Sequence, residues 1–389
     1  MTIYANENKY PEVKDGKAEL DMSSGKYMKI WQGPQHPGIT GNMSLELTIA
    51  GDEVYECKTH LGYLHRGFEK LIERRTFMQS FPIVCRICVP EPDFNEYLFA
   101  QGLENLSGIQ APERAQWIRT LNLEMARLTS FLMWIGGQAG AFGMGTIGQW
   151  TVTHRDYMLD LFEELSGGRI YHMYIVPGGV RAELPDGFAG RLEDTLVKVE
   201  KLCKEIELVM FHNAVFKMRS KKLGIIDPAW VDEYGITGPN MRGTGIKRDI
   251  RRDQPYLVYD QLDFDIVTGS DSDAYERAWC RLQEMHQSID LIRQIMVRMP
   301  AGDIHTPLPN ILHWKIPEGS TYLRAECTRG EYGYFMQTDG SGMLRRMTVR
   351  GPSYTHAVAL MEKMAVGTNI ADIAGLMVSL HTYPPEVER

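Results

Sequence analysis

Cysteine is scarce in this 389-residue chain, with only six, at positions 57, 85, 88, 203, 280 and 327. With no secretory signal ahead of them, a disulfide framework is not expected, and a reducing setting is. Basic charge is also in deficit: a formal net charge of -8 excludes a nucleic-acid binder that works by neutralising phosphates. Neither GxGxxG nor a P-loop lysine pattern occurs, so no nucleotide site is expected. The longest uncharged run, Leu128 to Thr153, is broken by Gly136, Gly137, Gln138, Gly140, Gly143, Gly145 and Gly148. It reads as buried core, because a lipid-facing helix wants about 20 predominantly apolar residues. What is present, 43% hydrophobic and 24% charged residues, suits an ordinary globular chain with a sizeable core.

Residues 1–27 are polar, with Lys9, Lys14 and Lys17 among Asn, Glu and Gly, and are expected to form a loosely held arm. Residues 28–389 read as one domain, since no repeat or linker divides them. Met43, Leu45, Leu47 and Ile49 alternate up to Gly51-Asp52 and Val54, which predicts a hairpin. After Pro112, Ile118, Leu121, Met125, Leu128, Leu132 and Ile135 recur at helical spacing, with a stop expected at Gly136-Gly137. Similar stripes run over Met158–Leu165, Leu192–Val209 and Ala278–Met296. Gly235–Tyr256, carrying Arg242, Lys247, Arg248, Arg251 and Arg252, is expected to be a loop with a solvated or subunit-facing cationic surface. Tyr332–Val349 reads as strands around Asp339-Gly340-Ser341-Gly342. The fold class is therefore α+β, mainly α: a central long-helix bundle with small sheets near the N-terminus and before the C-terminus.

The sharpest local feature is Cys85-Arg86-Ile87-Cys88. A cation between two thiols favours thiolate, the nucleophile of sulfur exchange and a soft-metal ligand. The alternative is two thiols packed as small apolar groups. Cys57 and His60, with Cys85 and Cys88, offer a Cys₃His zinc alternative. His60, His65, Arg66 and Glu69 read either as a proton-handling set or as hydrogen-bonded structural groups. Cys203 and Cys280 sit on helical stripes and are expected in the core.

Several longer phrases go together: Gly33-Pro-Gln-His-Pro37, His60-Leu-Gly-Tyr-Leu-His-Arg-Gly-Phe-Glu-Lys70, Pro112-Glu-Arg-Ala-Gln116, Leu159-Asp-Leu-Phe-Glu163 and Pro177-Gly-Gly-Val-Arg181. With Arg329-Gly330-Glu331 and the final Glu388-Arg389, the chain from about residue 28 onward resembles the NuoD-type subunit family of respiratory complex I. That family is related to the large subunits of membrane-bound [NiFe] hydrogenases. The resemblance implies a hydrogenase-large-subunit-like fold and a peripheral subunit at the cytoplasmic face of a membrane complex. Its partners would be an iron-sulfur small subunit, other peripheral subunits and a membrane arm that moves ions, with ferredoxin or a reduced nicotinamide upstream.

The departures from that pattern carry the functional reading. Where the family's quinone-binding His, Tyr and Asp fall, this chain has Thr40, Val89 and Ala141. Of the four hydrogenase thiolates only Cys88 has a counterpart; Glu91, Tyr383 and Glu386 fill the other positions, so no [NiFe] centre is expected. The resemblance is then closest in character to the archaeal membrane-bound sulfane-sulfur reductases, and implies reduction of polysulfide at Cys85 and Cys88. Arg86 would stabilise anionic sulfur, and His60, His65 and Glu91 would supply protons. His172 would stand near a [4Fe-4S] cluster held by the small subunit, with no cofactor bound by this chain alone. Two alternatives stay open: a quinone oxidoreductase subunit with a remodelled pocket, and a structural subunit whose dithiol packs or binds zinc.

Overall fold

A computed structural model describes residue 22, residues 25–36 and residues 43–389. The arm expected over residues 1–27 lies outside the described residues except at 22 and 25–27, and Thr40 lies outside them too. The chain opens with an antiparallel sheet in the order β1 (Met28–Gln32), β2 (Ser44–Ala50), β3 (Glu53–His60). The expected hairpin is β2 and β3, turning at Gly51, whose φ of 63° suits glycine. Leu45 and Leu47 point into the core. Strand β1 is an addition, too short and too exposed for alternation to reveal.

A short helix, α1 (Phe77–Val84), starts at a capping box in which Thr76 and Gln79 satisfy each other's backbone N–H groups. Helix α2 (Pro92–Ser107) follows, with Pro92 in its first turn. The long helices α3 (Glu113–Ala141), α4 (Gly145–Ser166), α5 (Phe188–Ile206) and α6 (Ala274–Arg298) form the expected bundle. Helix α3 does not stop at Gly136-Gly137. A Cβ on Gly136 would stand 2.3 Å from Thr151 Oγ1, so glycine here lets α4 lie against α3 and packing overrides the stop signal. Between α4 and α5 a two-residue pair, β4 (Ile175–Val176) and β5 (Gly179–Val180), closes a tight turn.

The second sheet runs β6 (Gly319–Cys327), β7 (Gly330–Thr338), β8 (Leu344–Arg350), all antiparallel. The expected turn at 339–342 joins β7 to β8. A final helix, α7 (Pro384–Glu388), ends the chain.

The basic segment 235–256 corrects the sequence expectation. It contains short helices, Gly238–Arg242 and Ile250–Asp253, and only part of its charge meets solvent. Lys247 and Arg248 are exposed, but Arg242 and Arg251 are buried. Arg242 lies 2.8 Å from Glu284 Oε1 and 2.7 Å from Glu326 Oε1. Arg251 lies 2.8 Å from Asp249 Oδ2 and 3.4 Å from Glu124 Oε1. Burial opposes ionisation of Asp249, and Arg251 and Arg242 overcome it, holding its carboxyl well below the usual range. The cations are sunk because their partners, scattered through the sequence, meet them in the bundle.

Breaking a buried charge cluster strands a charge, so Glu284→Ala is expected to cost about 3–5 kcal/mol in urea unfolding of the purified protein. Arg298→Ala, on the exposed Arg298–Asp263 pair, is expected to leave the unfolding midpoint unchanged. Equal effects of the two would contradict the assignment of the buried cluster as a stability determinant.

Candidate active site

The two CxxC thiols sit between elements that the sequence defines sharply. Helix α1 ends with Cys85 as its C-cap, and α2 begins at Glu91-Pro92, which leaves Cys88 in the short connection. Both thiols are fully buried. Cys85 Sγ donates to the carbonyl of Pro82 at 3.4 Å and receives Arg86 Nη1 at 3.4 Å. Arg86, itself exposed, lies over the Tyr171 ring at 4.6 Å.

Cys88 Sγ receives a hydrogen bond from Arg329 Nη2 at 2.9 Å. Arg329 follows β6, 241 residues along the chain from Cys88. Its guanidinium also lies 2.7 Å from Glu91 Oε2 and 3.1 Å from Glu386 Oε2, with all three side chains fully buried. Both carboxylates are held from a second side: Glu91 accepts from Thr328 N at 2.9 Å and Glu386 from Ser353 N at 3.0 Å. The Tyr383 ring lies 5.8 Å from the same guanidinium. The turn is tight: Gly330 has φ 135° and a Cβ there would stand 2.4 Å from Thr237 Oγ1, so glycine lets Arg329 enter the core.

The expected low-pKa thiol is corrected. Burial pushes Cys85 up to about 12, Glu96 and Asp93 add to this, and Arg86 opposes it without prevailing. Cys88 is pushed up further by burial, against the pull of Arg329. The physical reason is that Arg86 spends its charge in water while the sulfur beside it is dry. The helix adds a second reason, since Cys85 stands at the negative end of α1 and a thiolate is favoured at the positive one. The resting dithiol is therefore protonated.

The other expected residues divide. Glu91 is drawn into the Arg329 cluster, 2.7 Å from the guanidinium. His65 Nδ1 pairs with the backbone oxygen of Glu388, and the Glu388 carboxylate accepts from Gly62 N at 2.7 Å, so this loop is clamped to the C-terminal segment that carries Glu386. His60 is engaged in the first sheet, 3.0 Å from Glu46 Oε2 and with its ring tilted against Trp31 at 4.6 Å. His172 Nδ1 lies 2.9 Å from Asp93 Oδ1, and its ring stacks on Phe162 at 4.0 Å. Burial opposes charging of His172, but Asp93 prevails and its pKa is raised.

Glu96 and Arg329 carry no local sequence signal of a role at the thiols. Glu96, one turn after Asp93 on α2, accepts from Met173 N at 2.6 Å and Tyr174 N at 2.9 Å, and burial with the Asp93 charge pushes its carboxyl up to about 8. Arg329 was visible only as part of the phrase Arg329-Gly330-Glu331, because local spacing gives no hint that it meets Cys88; Glu386 is signalled only by the resemblance, at a hydrogenase thiolate position. Cys57 lies in β3, its thiol pushed up to about 12 by burial and then by Glu362 and Glu56. Among the described residues no three His, Cys, Asp or Glu side chains converge as metal ligands, so the Cys57, His60, Cys85 and Cys88 zinc set is not assembled.

The geometry has relatives. A family model described as "Respiratory-chain NADH dehydrogenase, 49 Kd subunit" matches residues 141–313 and 307–389. The D subunit of NADH-quinone oxidoreductase from Thermosipho melanesiensis is 40% identical over 364 residues, 93% of this chain and 99% of that one. The D subunit of F(420)H(2) dehydrogenase from Methanosarcina mazei is 34% identical over 378 residues, 95% of this chain and 100% of that one. A chain in the solved structure of the membrane-bound sulfane sulfur reductase, an archaeal respiratory membrane complex, superposes with a TM-score of 0.91 at 38% identity. It covers 94% of this chain and 99% of its own length.

A thiol raised to about 12 gains thiolate tenfold per pH unit throughout the neutral and mildly alkaline range. Alkylation of Cys85 by iodoacetamide, followed by peptide mass spectrometry, is expected to climb tenfold per unit from pH 7 to 10. A plateau near pH 7 would mean an activated thiolate and contradict the geometry.

Proposed function

Because the chain belongs to the 49 kDa subunit family of respiratory-chain NADH dehydrogenases, we propose that it is the subunit of its complex in which sulfane sulfur is reduced, at Cys85 and Cys88. At the coarser level it is the D-type subunit of a complex I-like membrane complex and an oxidoreductase subunit. No helix among the described residues is long and apolar enough to cross a membrane. A place at the cytoplasmic face, on an iron-sulfur small subunit beside other peripheral subunits and a membrane arm, suits that architecture.

The observation that carries the reading is that each thiol has its own guanidinium: Arg86 at 3.4 Å from Cys85 and Arg329 at 2.9 Å from Cys88. A fixed cation aimed at sulfur in a dry site, as Arg329 is, does most where charge develops during reaction, and costs no reorganisation then. A protonated resting dithiol is compatible with that role. Cys85, beside the exposed Arg86, gives up its proton and attacks one sulfur of an R–S–S–R unit. The Sγ–S bond forms as the S–S bond breaks, and the released fragment takes the proton and leaves as RSH. Cys88, its developing charge held by Arg329, then attacks Cys85 Sγ. A Cys85–Cys88 disulfide forms, and the second fragment leaves as RSH with the proton of Cys88. The dithiol is restored by two protons and by two electrons taken singly from the iron-sulfur partner. Glu96, whose charge acts on Cys85, is suited to moving a proton, and the His172–Asp93 pair would also tune a cluster placed next to it.

Burial of both thiols gives specific support to one competing reading, a dithiol that only packs. Reduction of dimethyl trisulfide by the purified complex separates the two. Cys85→Ser and Cys88→Ser are each expected to lower turnover by at least about 100-fold while the complex still assembles. Full activity in both variants would leave the dithiol as packing. Quinone-analogue reduction that survives both would point to a remodelled quinone pocket.

A further inference from the structure

Among the described residues seven arginines are fully buried, and five of them share one arrangement. Arg119 faces Glu104 at 2.6 Å, Arg127 faces Glu124 at 3.4 Å, Arg242 faces Glu284 at 2.8 Å, Arg251 faces Asp249 at 2.8 Å and Arg329 faces Glu91 at 2.7 Å. Arg277 and Arg281, one turn apart on α6, break the pattern. Among the described residues neither has a carboxylate within 4.0 Å. Arg277 donates to the carbonyls of Gly224 and Ser272, both at 2.7 Å, and to Ser379 Oγ at 2.7 Å. Arg281 donates to Ser379 O at 3.1 Å and Asn240 Oδ1 at 2.9 Å, and lies over the Trp134 ring at 4.7 Å. Nε of both is buried without a partner. The nearest acids are committed elsewhere: Asp273 caps α6 by accepting from Glu276 N at 2.9 Å, and Glu284 holds Arg242.

Two buried histidines lie within electrostatic reach of this pair. His356 is fully buried with neither ring nitrogen partnered, and His381, its ring tilted against Trp134 at 5.5 Å, leaves Nδ1 unpartnered. Arg277, Arg281, Arg329 and Arg350 act on His356, while Arg281, Arg329 and His356 act on His381. Burial, and then these cations, pull His356 down to about 3, so its ring is neutral and offers one N–H with no acceptor; neutral His381 already gives its N–H to the Thr328 backbone. Buried cations without a counter-charge and buried N–H groups without an acceptor each cost free energy. One acceptor carrying negative charge removes both costs together, and a neutral water removes only the second.

We propose that Arg277, Arg281 and His356 form a binding site for one small monovalent anion in the core beside Arg329. Chloride and hydrosulfide share the required chemistry. Hydrosulfide as the ligand rests on the sulfur-reducing reading, because it is the small anion that shortening a sulfur chain releases, and Arg329 would then border both the thiol and the anion. Chloride does not depend on that reading.

The test is bromide retention. The purified complex is equilibrated in sodium bromide on a gluconate background, passed through a desalting column and analysed for bromine by elemental mass spectrometry. One bromide per copy of this chain is expected, falling to background in Arg281→Met and His356→Phe, with co-elution of the partner subunits reporting assembly. X-ray absorption at the bromine edge of the unmutated complex needs no variant to fold: nitrogen neighbours support the site, and a purely hydrated ion overturns it. Background retention in the unmutated complex, or equal retention in the variants, also overturns it. Displacement by hydrosulfide at lower concentration than by chloride identifies a sulfur ligand, and the reverse order identifies chloride. Cys88→Ser is expected to retain bromide fully, so failure of the sulfur reading and failure of the anion site are separable.

Discussion

The Arg329 guanidinium, pinned between Glu91 and Glu386 with Cys88 Sγ as a further acceptor, is the contact on which the placement of the other site elements depends. A charge sunk in protein is tolerable only when paired and hydrogen-bonded, so this cluster forms completely or its segments do not close. It draws together the turn after β6, the start of α2 and the C-terminal helix α7. The C-terminal segment is then fixed a second time by Glu388, which accepts from Gly62 N at 2.7 Å. The dithiol is thus held in a frame assembled from the beginning, middle and end of the described chain.

That frame determines what the cysteines can do. A CxxC at the start of a helix gains thiolate from the positive end of the dipole; here the first cysteine closes a helix and both thiols are dry, which keeps them protonated. The guanidiniums do not create a resting thiolate. They lower the cost of negative sulfur once a chain of sulfur atoms begins to break, which fits a site that stays inert until substrate arrives.

Local pattern reveals elements whose reasons are local. The hairpin at 44–60, the four long helices and the 330–350 hairpin follow from alternation and helical spacing. Helix α2 was not legible, because Asp93, Asn95, Glu96 and Glu104 are all buried and erase the polar face that marks a surface helix. The glycines of α3 read as a stop because their purpose lies in α4. The cations at 242 and 251 read as solvated because the acids that bury them stand at 124, 284 and 326. In the site, the CxxC is a local signal and Glu386 is signalled by the resemblance, whereas Arg329 reaches the thiols only through the fold. Arg86 was legible as a neighbour of the thiols, but its effect was misjudged, since sequence adjacency says nothing about which of two groups is wet.

The account stands or falls on the redox state of the dithiol. The purified complex, given limiting polysulfide without an electron donor, is acid-quenched, alkylated and analysed by peptide mass spectrometry for residues 85–88. A Cys85–Cys88 disulfide, or sulfur carried on Cys85, that accumulates and then vanishes when electrons are supplied is the predicted result. Two free thiols throughout, while sulfur reduction proceeds at its normal rate, would contradict the account.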